Sequence, residues 1–366
     1  MKVGILTFHK AKNYGAVLQA YALKTTLKKL KVNPYIINRY AGSKSIIHKL
    51  YFTLWPKYIL QRITWFSFDR FAKQHLIPKT RKYSSVKSLN KFNKYENFDV
   101  VIVGSDQVWR MEFSAIGYNY FLDFIKSNTI KKISYAASFG NDEWKKDLSI
   151  TTNIKQMLND FSSISVREIS GVKICSDVFN TKATHVLDPT LLLNEKEYDS
   201  LLLKNPFSNN ENVLVSYILG NQESVKYCNL FAKKNNLDYT DLYYVYQFNS
   251  VFSPLEYGRK HYLHLTVNEW ITQIKYAKYL VVNSYHATIF AIIFKKQFIV
   301  VDHPSGGTGR ITSLLEQLGL QDRFISHISG ISLNLFMKQI NWDLVDMKLA
   351  IEKEKSIVYL KESLTK

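Results

Sequence analysis

Short, unbroken apolar runs alternate along this chain with longer stretches whose apolar positions recur every three or four residues. The runs at residues 3–7, 100–103, 133–135, 164–166, 213–217, 279–282 and 298–301 read as buried strands. After the first run, Ala16, Ala20, Leu23, Leu27 and Leu30 fall at steps of four and three, one face of a helix, and Asn33-Pro34 predicts its end. Strands that alternate with amphipathic helices predict βαβ units around parallel sheets, an α/β fold.

One segment breaks the rhythm. Residues 43–78 mix Trp55, Trp65, Phe66, Phe68 and Phe71 with Lys44, Lys49, Lys57, Arg62, Arg70 and Lys73, and Asp69 is their sole acid. Two readings stand: a helix lying on an anionic membrane surface, or a helical pair packed on its own domain with a basic outer face. The polar, turn-rich stretch within 190–212 predicts a domain divide. The expected organisation is a first domain over 1–195 with an insert at 43–78, then a second over 196–366. The last helical stretch, 344–362, is expected to pack back on the first domain.

A length of 366 residues, 46% of them hydrophobic, supplies two full cores. No run reaches the roughly 18 apolar residues a membrane span needs. Residues 1–6 are too short for a secretory leader and read as the first strand. Two cysteines, Cys175 and Cys228, have neither metal-ligand nor redox spacing and suit a reducing cytoplasm. Lys and Arg number 49 against 30 Asp and Glu, a formal charge of +19. That charge favours an anionic partner: nucleic acid, an anionic membrane or a phosphorylated substrate. Nucleic acid is disfavoured, since no zinc-finger spacing, basic zipper or aromatic RNA-binding signature occurs. Many of the lysines also fit the solvated faces of ordinary helices.

Ligands of open α/β sheets bind beyond the carboxyl ends of the strands, so the strand-to-helix loops carry the candidate chemistry. In the first loop, Asn13, Tyr14 and Gly15 follow Lys10 and Lys12 at a helix start, either an anion site or a plain capped loop; the Gly-rich dinucleotide fingerprint is absent. After the strand ending at residue 103, Gly104-Ser105-Asp106 exposes a carboxylate that acts as a base, holds sugar hydroxyls or caps a helix. Arg167 offers a fork for phosphate or carboxylate, or else pairs with Glu168 or another acid. Asn283-Ser284-Tyr285-His286 ends a strand in polar residues, with His286 an anion ligand, a proton carrier or a structural histidine. Residues 305–310 bring three glycines before Arg310, either a close-approach loop or a flexible one.

The ordered set Asn13-Tyr14-Gly15, Val103-Gly104-Ser105-Asp106-Gln107-Val108-Trp109, Ser165-Val166-Arg167-Glu168, Leu187-Asp188-Pro189, Glu269-Trp270-Ile271, Asn283-Ser284-Tyr285-His286 and Arg310-Ile311-Thr312 resembles the polysaccharide pyruvyl transferase family. The resemblance implies two Rossmann-like domains facing a central cleft, GT-B-like, with phosphoenolpyruvate as co-substrate and no other cofactor or metal. It implies a sugar hydroxyl pair as acceptor, on a lipid-linked or surface polysaccharide precursor of a capsule or exopolysaccharide. Arg167 matches the family's donor-binding arginine and His286 its active-site histidine. Ser284 stands where some members carry a second arginine, and Ala287 where glycine is common. The expected site has His286 and Asp106 as catalytic groups and Arg167, Arg310 and Ser284 at the donor. Asn13, Tyr14, Gly15, Ser105, Asn283 and Glu269 are expected to line the cleft or bind the acceptor. The expected place is the cytoplasm, with the inner face of the membrane as a docking surface. Two alternatives remain: a GT-B glycosyltransferase using a nucleotide sugar, and a non-catalytic anion-binding or scaffold protein.

Overall fold

The computed structural model describes residues 1–39, 56–113, 118–207, 211–243, 246–249, 260–263, 265–303 and 308–365; for 56–65, 113, 246–249 and 260–263 it describes backbone alone. The chain divides into two compact units. One comprises Met1–Ser43, Ala72–Leu193 and Asp346–Lys366; the other comprises Lys44–Phe71 and Asn194–Val345.

In the first unit, β1 (Lys2–Leu6), β2 (Asn33–Ile36), β3 (Val100–Asp106), β4 (Lys131–Ala137), β5 (Ser165–Val166) and β6 (Thr184–His185) form a sheet in the order β2-β1-β3-β4-β5-β6, every pairing parallel. The order reverses between β1 and β3, where crossover helices pass to opposite faces and leave a crevice. Asn33-Pro34 ends no helix directly. The helix α1 (Tyr14–Lys29) stops earlier, and Pro34 sits in β2, an edge strand that spares it the missing N–H.

The unit's core stacks Trp109 on Phe121 at 5.5 Å, with the Trp109 indole N–H donating to the Tyr120 carbonyl at 2.9 Å. The helices α2 (Pro56–His75) and α3 (Leu148–Asn159) follow in the chain. Of the aromatics in the 43–78 segment, Phe68 and Phe71 are buried and Phe66 is 66% exposed. Residues 43–55, and with them Trp55, lie outside the described residues. Among the described residues no helix is long and apolar enough to cross a membrane.

In the second unit, β7 (Val213–Tyr217), β8 (Asp238–Asp241), β11 (Tyr279–Val282), β12 (Gln297–Val301) and β13 (Phe324–Ile325) form a parallel sheet in the order β13-β12-β11-β7-β8. A separate antiparallel pair joins β9 (Tyr246–Asn249) and β10 (Lys260–Leu263). The sheet order reverses between β7 and β11. Among the described residues, its connections hold α4 (Gln222–Lys234), α5 (Val267–Tyr276), α6 (Tyr285–Ile293) and α7 (Gly309–Leu318). The last helix, α8 (Trp342–Thr365), lies from Asp346 onward in the first unit. There Ser356 Oγ accepts from the Leu187 amide at 2.9 Å, and Tyr359 OH donates to the Ser134 carbonyl at 2.8 Å.

Candidate functional site

The first unit's reversal point is built from a strained strand end. Gly104 has φ +140°, and a Cβ there would lie 2.0 Å from the Tyr135 carbonyl oxygen on β4, so no other residue fits. Asp106 (φ 76°) and Ala136 (φ 50°) also sit in the left-handed region, at a cost of about 1 kcal/mol or more each. Backbone bonds hold the distortion: the Ser138 and Val108 amides donate to the Asp106 carbonyl at 3.0 and 2.7 Å. The Asp106 carboxylate accepts from the Gln107 amide at 2.9 Å. Asp106 therefore closes β3 and caps no helix.

Behind Asp106 lies a buried polar cluster. Asp188 Oδ2 accepts from Ser105 Oγ and from Arg167 Nη1, both at 2.9 Å. Its Oδ1 accepts from the Thr190 amide at 3.0 Å and from Thr190 Oγ1 at 2.6 Å. Four donors fill a carboxylate's acceptor capacity, which is what a fully buried acid requires. Arg167 also stands 3.8 Å from Asp106 and 3.9 Å from Glu168, whose other oxygen accepts from the Phe139 amide at 3.0 Å. The Arg167 side chain is 1% exposed and that of Asp106 14%, so Asp106 is the one that meets solvent. The sequence expects Arg167 at the donor; the structure pairs it with Asp188. Ser105, expected in the cleft or at the acceptor, is equally buried and spent on Asp188.

Across the crevice, Thr7 Oγ1 donates to the Ser105 carbonyl at 3.2 Å and accepts from Gln19 Nε2 at 2.7 Å, which ties the exits of β1 and β3 together. His9 contacts the Thr7 carbonyl at 3.2 Å and Asn38 Oδ1 at 3.4 Å. Burial pushes its pKa down to about 4, with the Thr7 and Asn38 contacts opposing, so it is neutral at neutral pH. Asn13 caps α1 by accepting from the Ala16 amide at 3.1 Å, while Tyr14 and Gly15 are buried in the first turn.

The second unit presents a cationic and imidazole set at the carboxyl edge of its own sheet. Asn283 is a staple: its amide nitrogen donates to the Leu219 carbonyl at 2.9 Å and its oxygen accepts from the Leu219 amide at 2.7 Å, joining the exits of β11 and β7. Ser284 precedes α6 without a side-chain capping bond, and His286 lies in the first turn, 7% exposed, edge-on to Tyr285 at 5.4 Å. His303, just past β12, lies beside Gly220 at the exit of β7. Burial lowers the His303 pKa, the positive charge of Arg310 lowers it further, and Asp302 opposes them. Arg310 occupies the first turn of α7; residues 304–307, with two of the three expected glycines, lie outside the described residues. Glu269, expected in the cleft or at the acceptor, closes the capping box of α5, accepting from the Thr266 amide at 2.7 Å. Among the described residues no group of three or more His, Cys, Asp or Glu is placed to hold a metal.

A family model described as polysaccharide pyruvyl transferase matches residues 13–305. The chain belongs to that family. Within the pyruvyl transferase match lie Asp106, Arg167, Asp188, His286 and His303; Arg310 falls just beyond it. No curated protein matches the chain by sequence. Solved structures with the same fold include a putative UDP-N-acetylglucosamine 2-epimerase from Listeria monocytogenes (TM-score 0.56, 11% identity, 98% of this chain and 90% of that one). Sucrose-phosphate synthase from Thermosynechococcus elongatus is another (0.51, 10%, 99% and 98%). At that identity the likeness establishes the fold, α/β with two Rossmann-like domains, GT-B-like.

In the sequence of this pyruvyl transferase family chain, Asp188 stands in a shared motif with no role assigned to it, and Thr190 and His303 are not singled out. An acid directly before a proline, with a hydroxyl two residues on, is a capping pattern that marks Asp188. His303 had only its place after a strand.

Proposed function

We propose that this chain transfers a pyruvyl group from phosphoenolpyruvate to a sugar of a polysaccharide or its lipid-linked precursor, closing a cyclic ketal. The observation that carries the reading is the set at the second unit's strand ends: His303 beside the exit of β7, Arg310 in the first turn of α7 and His286 in the first turn of α6. A guanidinium and an imidazole in first helical turns, with a second imidazole just past a strand, on the carboxyl edge of a parallel sheet, suit a donor bearing both phosphate and carboxylate.

In the proposed reaction one sugar hydroxyl oxygen bonds to C2 of phosphoenolpyruvate while C3 takes a proton. The C2–O bond to phosphate breaks, phosphate leaves with the bonding pair, and the neighbouring hydroxyl closes the ketal. Of the two hydroxyl protons, one is balanced by the new methyl and the other leaves with phosphate. His286 delivers the proton or binds the anion, Arg310 and the Ser284 hydroxyl hold the donor, and Asp106 accepts a hydroxyl proton or orients the sugar. Arg167 is assigned as a positioning residue that fixes Asp106 and Asp188.

The test is phosphate release from phosphoenolpyruvate with a panel of galactoside and N-acetylmannosamine acceptors, with product mass measured. Acceptor-dependent release and a product heavier by one pyruvyl group are expected, with turnover falling about a hundredfold or more in His286→Ala. Absence of release with every acceptor in the panel, together with a nucleotide sugar raising the melting temperature, would move the assignment to a glycosyltransferase.

A further inference from the structure

At the opposite edge of the first sheet, where β3 and β4 begin, a cavity of about 880 Å³ opens between the 126–132 segment, α3 and Asp99. β3 runs from Val100 to Asp106, so this cavity lies roughly 20 Å from the Asp106 loop. Its volume is in the range of pockets that take small ligands.

Its charge is unlike that of the chain. Against a formal +19 overall, the lining balances Lys126, Lys131 and Lys132 with Asp99, Asp123 and Asp160, three against three. Several of these are engaged: Lys132 with Asp160 at 3.0 Å, Asp99 with the Lys2 amide at 2.6 Å, Asp123 with Asn119 Nδ2 at 2.9 Å. An anion gains little from such a wall.

Besides Lys126 and Lys131, what remains is amide, hydroxyl and ring. Asn153 and Gln156 project from α3 as exposed side chains able both to donate and to accept. Tyr118 supplies a flat face with a polar tip, its OH within 3.4 Å of Asn153 Nδ2. The rim is set by Ser127 Oγ and Thr129 Oγ1, bonded at 2.6 Å. Ile130 and Met157 add apolar surface. Amide groups, an aromatic ring and apolar side chains lining one cavity match a sugar, which has hydroxyl edges and a C–H face.

We propose that this cavity is a second saccharide site, binding an uncharged oligosaccharide segment of the acceptor remote from the reacting sugar. The proposal rests on the reading that the acceptor is a polysaccharide. It is tested on the full chain by calorimetric titration, without donor, of neutral gluco-, galacto- and manno-oligosaccharides into wild type and the Asn153→Ala/Gln156→Ala double variant. One neutral series should bind wild type and weaken about tenfold in the variant, with phosphoenolpyruvate binding unchanged. In turnover the variant should raise KM for a polymeric acceptor while leaving kcat, and KM for a monosaccharide acceptor, unchanged. Equal affinity in both proteins, no neutral series bound at millimolar concentration, or variant-sensitive binding of anionic saccharides alone would overturn it. Variant-sensitive binding without pyruvyl transfer to any acceptor would leave this site standing and remove the reaction.

Discussion

Replacing Asp188 with asparagine removes a charge and almost no volume. The amide oxygen still accepts from Thr190, but the amide nitrogen faces Arg167 Nη1, an obligate donor at 2.9 Å, and Ser105 Oγ has to turn from donor to acceptor. Arg167, 1% exposed, then loses its nearest counter-charge and keeps Asp106 at 3.8 Å and Glu168 at 3.9 Å. Breaking a buried pair costs about 3–5 kcal/mol, and the two remaining carboxylates place this one near 3 kcal/mol. For a unit of this size that lowers the melting temperature by roughly 6–12 °C. Scanning calorimetry of Asp188→Asn, Arg167→Met and the double variant checks it. The double variant should lose less than the two single losses added, because neither Asp188 nor Arg167 is then left stranded by the loss of the other. Additive losses, or a single-variant shift near zero, would refute the claim that the pair is one buried unit.

Two further outcomes follow from the same crevice. His9 has a depressed folded-state pKa near 4, so the unfolded chain takes up the proton first as pH falls. Stability should decline by about 3 kcal/mol between pH 6.5 and 4, and less in His9→Gln, read from urea midpoints across that range. Gly104→Ala forces a Cβ against the Tyr135 carbonyl and should destabilise the first unit by 3 kcal/mol or more, seen as a lower urea midpoint than that of an exposed control such as Gly330→Ala.

Much of the architecture was legible in the sequence because the central strands are continuous apolar runs: β7 and β11 fall where residues 213–217 and 279–282 predict them. The edge strands β2, β6, β8 and β13 were not. β2, β6 and β8 are short and at least half polar, β13 is only Phe324-Ile325, and their neighbours make them strands. β3 runs three residues past its apolar stretch because Gly104 and Asp106 keep pairing with β4 through left-handed backbone, which no periodicity reveals. For the site, residue type alone could not separate Asp106, which reaches solvent, from Ser105 beside it, which is buried on Asp188. Nor could it tell that Glu269 caps a helix or that Asn283 staples two loops. Those distinctions depend on partners distant in the chain, such as Asp188 for Ser105 and Leu219 for Asn283.

The return of α8 also sets an order of events during synthesis. Tyr359 and Ser356 close the first unit's sheet, yet residues 194–345 are translated before them. At a ribosomal rate of about 5–20 residues per second, the nascent first unit waits roughly 8–30 s for its final helix. Through that interval the second unit is free to fold first, so the amino-terminal half, although made earlier, is the last to be completed.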